Sequence, residues 1–256
     1  MPGFFVNNEA IGEREIIISG DDAHHIARSL RMAVGDGITV SDGAGGEYKC
    51  RLSRIRDDEC IAEILSHGDA SGEPPAKISL YMAYPKSDKL ELIIQKAVEL
   101  GAFEIFPFES SRCIKRPKAE KIEKQTARLS RIAEEAAKQC GRGILPLVHE
   151  PISFAEMLKL ASGAECGLFC YEGDGTLSLK RALEEHKGAK SFSVIVGSEG
   201  GFSPDEAEAA IAAGLLAVNL GPRILRCETA PMYTLSSLSY FFELYSRIFS
   251  VLQGVF

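Results

Sequence analysis

The stretch VIVGSEGGFSPDE, residues 194–206, runs from an apolar strand through a glycine-rich turn into a helix, the usual build of a phosphate-binding loop. Ser203, Pro204 and Glu206 form a capping-box pattern with proline in the first helical position, so the helix start is specified twice over. The turn GSEGG therefore has a defined exit. It is neither of the two common phosphate loops, since no G-x-G-x-x-G opens the helix and no G-x-x-x-x-G-K-S/T is present. Glu199, set among the glycines, would also repel phosphate. A ligand with no phosphate, a polar adenosine part and a positive charge suits the loop better. S-adenosylmethionine, with its sulfonium, is such a ligand. A tight glycine turn with a solvent-facing Glu199 accounts for the same residues equally well.

A second loop of the same kind follows. LGPRILRCETAPM, residues 220–232, comes after the apolar strand LAVN and leads into a long helix, with Thr229 as the expected cap and Pro231 inside its start. Two successive glycine-bearing strand-to-helix loops would share the C-terminal edge of a parallel sheet, where open α/β folds bind ligands. Upstream the alternation continues: ISLYMAY, DKLELIIQKAVELG, EIFPFE, a long helix over 118–140, CGLFCY, SFSVIVG, LAVNLG, and a last helix over 229–250. This order predicts an α/β domain with a mostly parallel sheet covered by helices.

Residues 4–66 read differently. EIIIS, GDGITVSDGAGGEYKCRLSRI and ECIAEILS are short alternating strands with glycine pairs at the hairpins, interrupted by one helix, HHIARSLRM, capped by Asp21 or Asp22. GDASGEPPA, residues 68–76, is a turn-rich linker whose Pro74 and Pro75 continue neither a helix nor a central strand. The predicted domains are residues 1–72 and 73–256.

The composition is globular, with 45% hydrophobic and 25% charged residues. No long apolar run or secretory-type start is present, which predicts a soluble, cytoplasmic protein. The seven cysteines are odd in number and form no CxxC, so neither a disulfide framework nor a zinc site is encoded. His24 and His25 read as ordinary helix histidines, and no metal site is expected. The net charge of −7 argues against nucleic acid, yet residues 112–142 hold ten Lys or Arg against four Glu, a local balance of +6. That segment is either a basic face or a solvated helix laced with Glu–Lys pairs.

GSEGGFSPDE followed by LGPRILRCETA resembles the paired signature of the SPOUT methyltransferases, and specifically the ribosomal RNA small subunit methyltransferase E family. HHIARSLRMAVGD with VSDGAGGEY is similar to that family's PUA-like β-barrel, and KSDKLELIIQKAVELGAFEIFPFESSRC with KQCGR to the entry of its catalytic domain. The resemblance spans nearly the whole chain. Ser198 departs from the family's usual proline, which loosens the turn and adds a hydroxyl.

The resemblance implies a deep trefoil knot whose loops hold S-adenosylmethionine, a homodimer, and methylation of N3 of a uridine in 16S ribosomal RNA, naked or in the assembled small subunit. It places the cofactor against Tyr171, Glu172, Gly197, Ser198, Glu199, Gly200, Gly201, Leu220, Gly221, Ile224, Leu225, Arg226, Cys227, Glu228 and Thr229. Uridine N3 is nucleophilic only as an anion, and a pKa about two units above ambient costs about 2.7 kcal/mol. Arg226, always charged, offers planar donors to a uracil carbonyl, while Glu199 or Glu228 either accepts the proton or positions loops and sulfonium. Expected RNA contacts are Arg28 and Arg31, three apart on one helix face, with Lys86, Lys89, Arg112, Lys115, Arg116 and Arg142. Leu235, Leu238, Phe241, Phe242, Leu244 and Tyr245 of the last helix face either a partner chain or the protein's own core. Two alternatives stay open: a related enzyme acting on another RNA position, such as a ribose hydroxyl, and a non-catalytic RNA-binding assembly factor.

Overall fold

The computed structural model describes residues 1–86, 89–114, 116–117 and 119–245, and the chain divides into two compact units. The first comprises Met1–Glu73 together with Glu134–Leu145. Its strands β1 (Gly3–Phe5), β2 (Glu15–Ser19), β3 (Gly37–Ser41), β4 (Gly46–Ile55) and β5 (Glu59–Asp69) pair in the order β1-β3-β4-β5-β2. All these pairings are antiparallel except β1 with β3. The period-two pattern does the sorting: Ile16 and Ile18 are buried while Ile17 between them is 45% exposed. Ile38, Val40, Cys50, Leu52, Cys60 and Ala62 complete the inner face. The β3–β4 turn is closed by Asp42, whose carboxylate accepts the Ala44 and Gly46 N–H groups at 2.8 and 2.9 Å.

Helix α1 (Asp21–His24) starts from Gly20, at φ +66°, rather than from an aspartate side chain, and it relaxes into a wider turn over His25–Ser29. Arg31 lies beyond that turn in a left-handed conformation, φ +50°. Arg28 and Arg31 therefore do not share a helix face, because the regular helix ends before either of them.

Glu134–Leu145 joins this unit through buried charge. Arg142, only 5% exposed, binds Glu73 through Nε and Nη2 at 2.8–3.0 Å, and the same carboxylate accepts the Gly143 and Ile144 N–H groups. Lys138 likewise bonds Asp22 at 2.8 Å and Glu134 at 2.9 Å. The expectation that Arg142 meets RNA phosphate is thereby corrected, since its guanidinium faces Glu73 inside the unit.

The second unit, Pro74–Ala133 and Pro146–Phe256, is the α/β part. Its elements are β6 (Lys77–Ala83), α2 (Lys89–Glu99), β7 (Glu104–Glu109), α3 (Ile122–Cys140, which runs on past the unit's end), β8 (Leu147–Val148), β9 (Ile152–Ser153), α4 (Phe154–Ala161), β10 (Cys166–Cys170), β11 (Leu177–Ser178), α5 (Leu179–Glu185), β12 (Ser191–Val196), α6 (Pro204–Ala212), β13 (Leu216–Asn219) and α7 (Thr229–Ser239). The strands pair in the order β11-β13-β10-β12-β6-β7-β8, with β9 also on β7, and every pairing is parallel. Central strands are buried on both faces, as Phe192, Val194 and Ile195 of β12 show, which is why they read as continuous apolar runs.

The long helix begins at Ile122, after a single tight turn over Ala119–Lys121, four residues later than its pattern suggested. Leu235 and Leu238 of α7 are fully buried within the chain, and Phe242 packs on Phe192 with ring centroids 5.1 Å apart. The Tyr245 side chain and residues 246–250 lie outside the described residues. Among the described residues no helix is long and apolar enough to cross a membrane.

The Glu73–Arg142 pair makes a stability prediction. Arg142→Met leaves the Glu73 carboxylate without its cation at a site where the arginine side chain is 3% exposed, so loss of about 3–5 kcal/mol is expected in urea unfolding monitored on the first unit. A loss below about 1 kcal/mol would show that water replaces the arginine at no cost.

Candidate active site

Because β6, β7, β10, β12 and β13 run parallel, the loops after them leave from one edge of the sheet. The order β13-β10-β12-β6-β7 makes those loops neighbours. They surround a cavity of about 660 Å³, within the usual range for a small-ligand site. Tyr171 and Glu172 line it after β10, Gly197, Ser198, Glu199 and Gly201 after β12, and Leu220, Gly221, Ile224, Leu225, Arg226 and Cys227 after β13. Lys89 and Arg112 enter from the segments that follow β6 and β7. Gly200, Glu228 and Thr229 sit on the same loops but are not part of the cavity wall.

The turn after β12 is held by close approach. A Cβ on Gly197 would stand 3.1 Å from Gly201 Cα and from the Phe202 ring, so a larger residue would have to push the folded-back turn open. Phe202 is 4% exposed and anchors the exit against Phe169, at 4.3 Å between ring centroids. Ser198 is also buried. Its hydroxyl donates to the Arg112 carbonyl at 3.5 Å while its carbonyl accepts the Gly201 N–H at 2.9 Å, so the serine does not leave the turn open. Arg112 in turn donates from Nη1 to the Gly200 carbonyl at 3.1 Å. The capping box is complete, with Ser203 Oγ accepting the Glu206 N–H at 3.2 Å and Glu206 accepting the Ser203 N–H at 2.9 Å. The other oxygen of this buried Glu206 accepts the Ser111 N–H at 2.7 Å, joining the β7 loop to the start of α6.

Asn219, the last residue of β13, holds the third loop. Its amide donates to Thr176 Oγ and the Leu177 carbonyl, both at 3.2 Å, and its carbonyl oxygen accepts the Gly221 N–H at 3.3 Å. Helix α7 is entered through Glu228, with no side-chain cap, and Thr229 is its first residue rather than the cap the sequence suggested. The Arg226 carbonyl accepts the Thr229 and Ala230 N–H groups at 2.8 and 2.9 Å. The Arg226 guanidinium is exposed at the cavity wall, and among the described residues no carboxylate pairs with it.

The charges gather at Lys89. Its ammonium lies 3.0 Å from Glu199 Oε1 and 3.0 Å from Glu228 Oε2, and donates to Cys227 Sγ at 3.8 Å. Glu199 also accepts the Lys86 N–H at 3.1 Å. The hydrogen bonds to Glu228 and then Glu199 raise the Lys89 pKa. Glu228 is held below the ordinary carboxylate range chiefly by Lys89. For Glu199, burial pushes upward, but its own N–H, the Lys89 ammonium and the Lys86 N–H together bring it below that range. Burial, and then the bond its thiol donates to Glu228, pushes Cys227 up to about 12, so it stands as a neutral thiol. One ammonium between two carboxylates leaves one net negative charge beside the cavity.

The expected RNA contacts are scattered. Arg28 pairs with Asp57 at the surface of the first unit, Arg116 lies 3.8 Å from Glu109, and Arg112 and Lys89 are at the cavity. Lys115 lies outside the described residues. Sequence reasoning placed Lys89 among the RNA contacts rather than at this cavity, and it did not single out Phe202 or Asn219. Lys89 carried a signal: it is the first residue of α2, where the helix dipole disfavours a cation unless anions compensate it.

An α/β domain with a glycine-walled cavity at the edge of its parallel sheet defines a ligand-binding enzyme fold, and its class is given by a family model described as an RNA methyltransferase domain, which matches residues 72–239. A second, described as an RNA methyltransferase PUA domain, matches residues 18–65. The chain belongs to the ribosomal RNA small subunit methyltransferase E family. It is 36% identical over 232 residues to the protein of that name from Bacillus subtilis, covering 89% of this chain and 90% of the relative. It is 32% identical to that from Synechocystis, covering 92% and 76%. The crystal structure of a ribosomal RNA small subunit methyltransferase E from Neisseria gonorrhoeae bound to S-adenosyl methionine superposes with a TM-score of 0.83 at 28% identity, covering 94% of this chain and 98% of the other.

The lowered carboxylates give a signed pH dependence. Groups with depressed folded-state values contribute stability that is fully present above the ordinary glutamate pKa, about 4.3, and is lost as pH falls through the lower folded values. The wild-type melting temperature is expected to exceed that of a Glu199→Gln/Glu228→Gln variant at neutral pH, with the gap closing as pH falls below the ordinary glutamate value. A gap that does not change with pH would mean that the carboxylates are not held by charge.

Proposed function

We propose that the protein transfers the methyl group of S-adenosylmethionine to N3 of a specific uridine in 16S ribosomal RNA. Residues 1–72 serve as the RNA-binding module, and residues 73–256 carry the chemistry at the cavity. The carrying observation is that three loops following parallel strands wall one cavity in a chain that belongs to this family, a member of which was crystallised with S-adenosyl methionine. The residues fit that cofactor: two glycine-bearing turns leave main-chain groups exposed for an adenosine, and the net negative charge of the Lys89, Glu199 and Glu228 group faces a cation favourably. When bound, the cofactor supplies an electrophilic methyl group on its sulfonium.

The chain's own task is to make N3 an anion. Arg226, exposed at the wall without an ion partner among the described residues, places permanent positive charge and paired donors where a uracil carbonyl oxygen would carry the developing charge. Glu199 and Glu228 suit the positioning role of the two considered. Both are ionised and bonded to Lys89, which lowers their basicity and makes them weak acceptors for the uridine proton. The proton then leaves to water.

The reading extends to a homodimer acting in the cytoplasm on ribosomal RNA or on the assembled small subunit. Tyr233, Tyr240 and Leu244, spaced along α7 and the turn after it and 42–57% exposed, are the apolar side chains that favour a partner chain there. A knotted path, which the family resemblance implies, is part of the same reading.

Mass mapping of methylated ribosomal RNA from cells lacking this protein should show the loss of one 3-methyluridine, and an unchanged map would refute the assignment. Arg226→Ala should lower kcat by about 10²-fold while the calorimetric Kd for S-adenosylmethionine moves by less than about threefold. Equal losses in both would assign Arg226 to cofactor binding.

A further inference from the structure

The turn after β12 and the loop after β13 both wall the cavity, yet among the described residues no hydrogen bond or ion pair joins them directly. They are joined through a third segment. The Lys89 ammonium takes Glu199 from the first and Glu228 from the second, each at 3.0 Å, with side chains that are 28%, 26% and 22% exposed. This places the two carboxylate oxygens at most about 6 Å apart, a separation at which like charges repel strongly unless a cation lies between them.

The position of the lysine also needs explaining. It opens α2, and Glu228 opens α7, so the positive ends of two helices meet at this point. A cation there is unfavourable by itself and becomes favourable only with both anions present. Glu199 receives the Lys86 N–H as well, so the segment leading into α2 grips the turn after β12 twice. Lys89 was expected among the phosphate contacts, but its ammonium is directed inward to these carboxylates.

We propose that Lys89 is a positioning residue whose ammonium ties the two cofactor loops together and so sets the width of the cavity for an adenosyl sulfonium ligand. This rests on the cofactor reading given above. Lys89 need not touch the ligand: it acts through Glu199 and Glu228. Its loss would leave two carboxylates facing each other, which splay the loops apart.

The test is a double-mutant cycle read by calorimetric titration of S-adenosylmethionine into the full-length protein. Lys89→Met is expected to weaken binding about tenfold or more and Glu199→Gln about threefold, and the double variant should bind no worse than Lys89→Met alone. Lys89→Arg, which keeps the charge, should stay within about threefold of wild type. The KM for RNA should be unchanged in all of them.

Binding by Lys89→Met within about twofold of wild type would overturn the inference, as would a double variant whose loss is the product of the single losses. A raised RNA KM with intact cofactor binding would overturn it in favour of a phosphate contact. If Lys89→Met does not fold, Glu228→Gln and Lys89→Arg decide: Glu228 lies outside the cavity wall, so weakened binding in the first with near-normal binding in the second supports the tie, and wild-type binding in both overturns it. A wild-type protein that fails to bind S-adenosylmethionine overturns the cofactor reading and this inference with it. Binding by the wild type that is untouched by Lys89→Met overturns the inference alone.

Discussion

Parallel strands all end on the same side, and the site of this protein follows from that constraint. A strand that must re-enter in the same direction needs a crossover, so each turn at the C-terminal edge is separated from the next by a helix or a long connection. The cavity is consequently assembled from residues remote in sequence: Lys89, Arg112, 171–173, 197–199, 201–202 and 220–227. Each is fixed at its base by sheet hydrogen bonds. What remains free is the outward part of each loop, and there the stabilising contacts run sideways, from Arg112 to Gly200, from Glu206 to Ser111, from Asn219 to Leu177 and from Lys89 to two glutamates.

These contacts also bear on charge. The excess of cations over residues 112–142 suggested a surface for phosphate, but several of those cations have partners inside the chain. Arg116 faces Glu109, Arg128 faces Glu91, Lys138 is shared by Asp22 and Glu134, and Arg142 is buried on Glu73. Counting charge along a sequence weighs a solvated lysine and a buried arginine equally. Only the fold separates them, because burial depends on which distant carboxylate arrives.

Much of the architecture was readable because its signals are local. The alternation in EIIIS, the apolar VIV that ends β12 and the Ser-Pro-Asp-Glu start of α6 each translate directly into observed elements. The capping box at Ser153 and Glu156 would have located α4 in the same way. The two-residue strands β8, β9 and β11 are too short to carry any periodicity. Within the site, glycines and turn residues were visible because close backbone approach restricts residue type. Lys89 was read as a phosphate contact, whereas its ammonium bonds Glu199 and Glu228, a meeting of three segments that no single segment encodes. Leu235 and Leu238 show the same limit on α7: their spacing marks an apolar face, and only the sheet beneath it shows that the face is covered within the chain.

Glu206 illustrates how tightly neighbouring segments are bound together. One of its oxygens closes the first turn of α6, and the other moors the backbone at Ser111 across the sheet edge. A carboxylate divided in this way sets a fixed spacing between two stretches of chain lying some ninety positions apart. Neither stretch can gain or lose a residue near this point without detaching the other, so tolerance for insertions has to be sought away from this edge, in loops that no shared side chain spans.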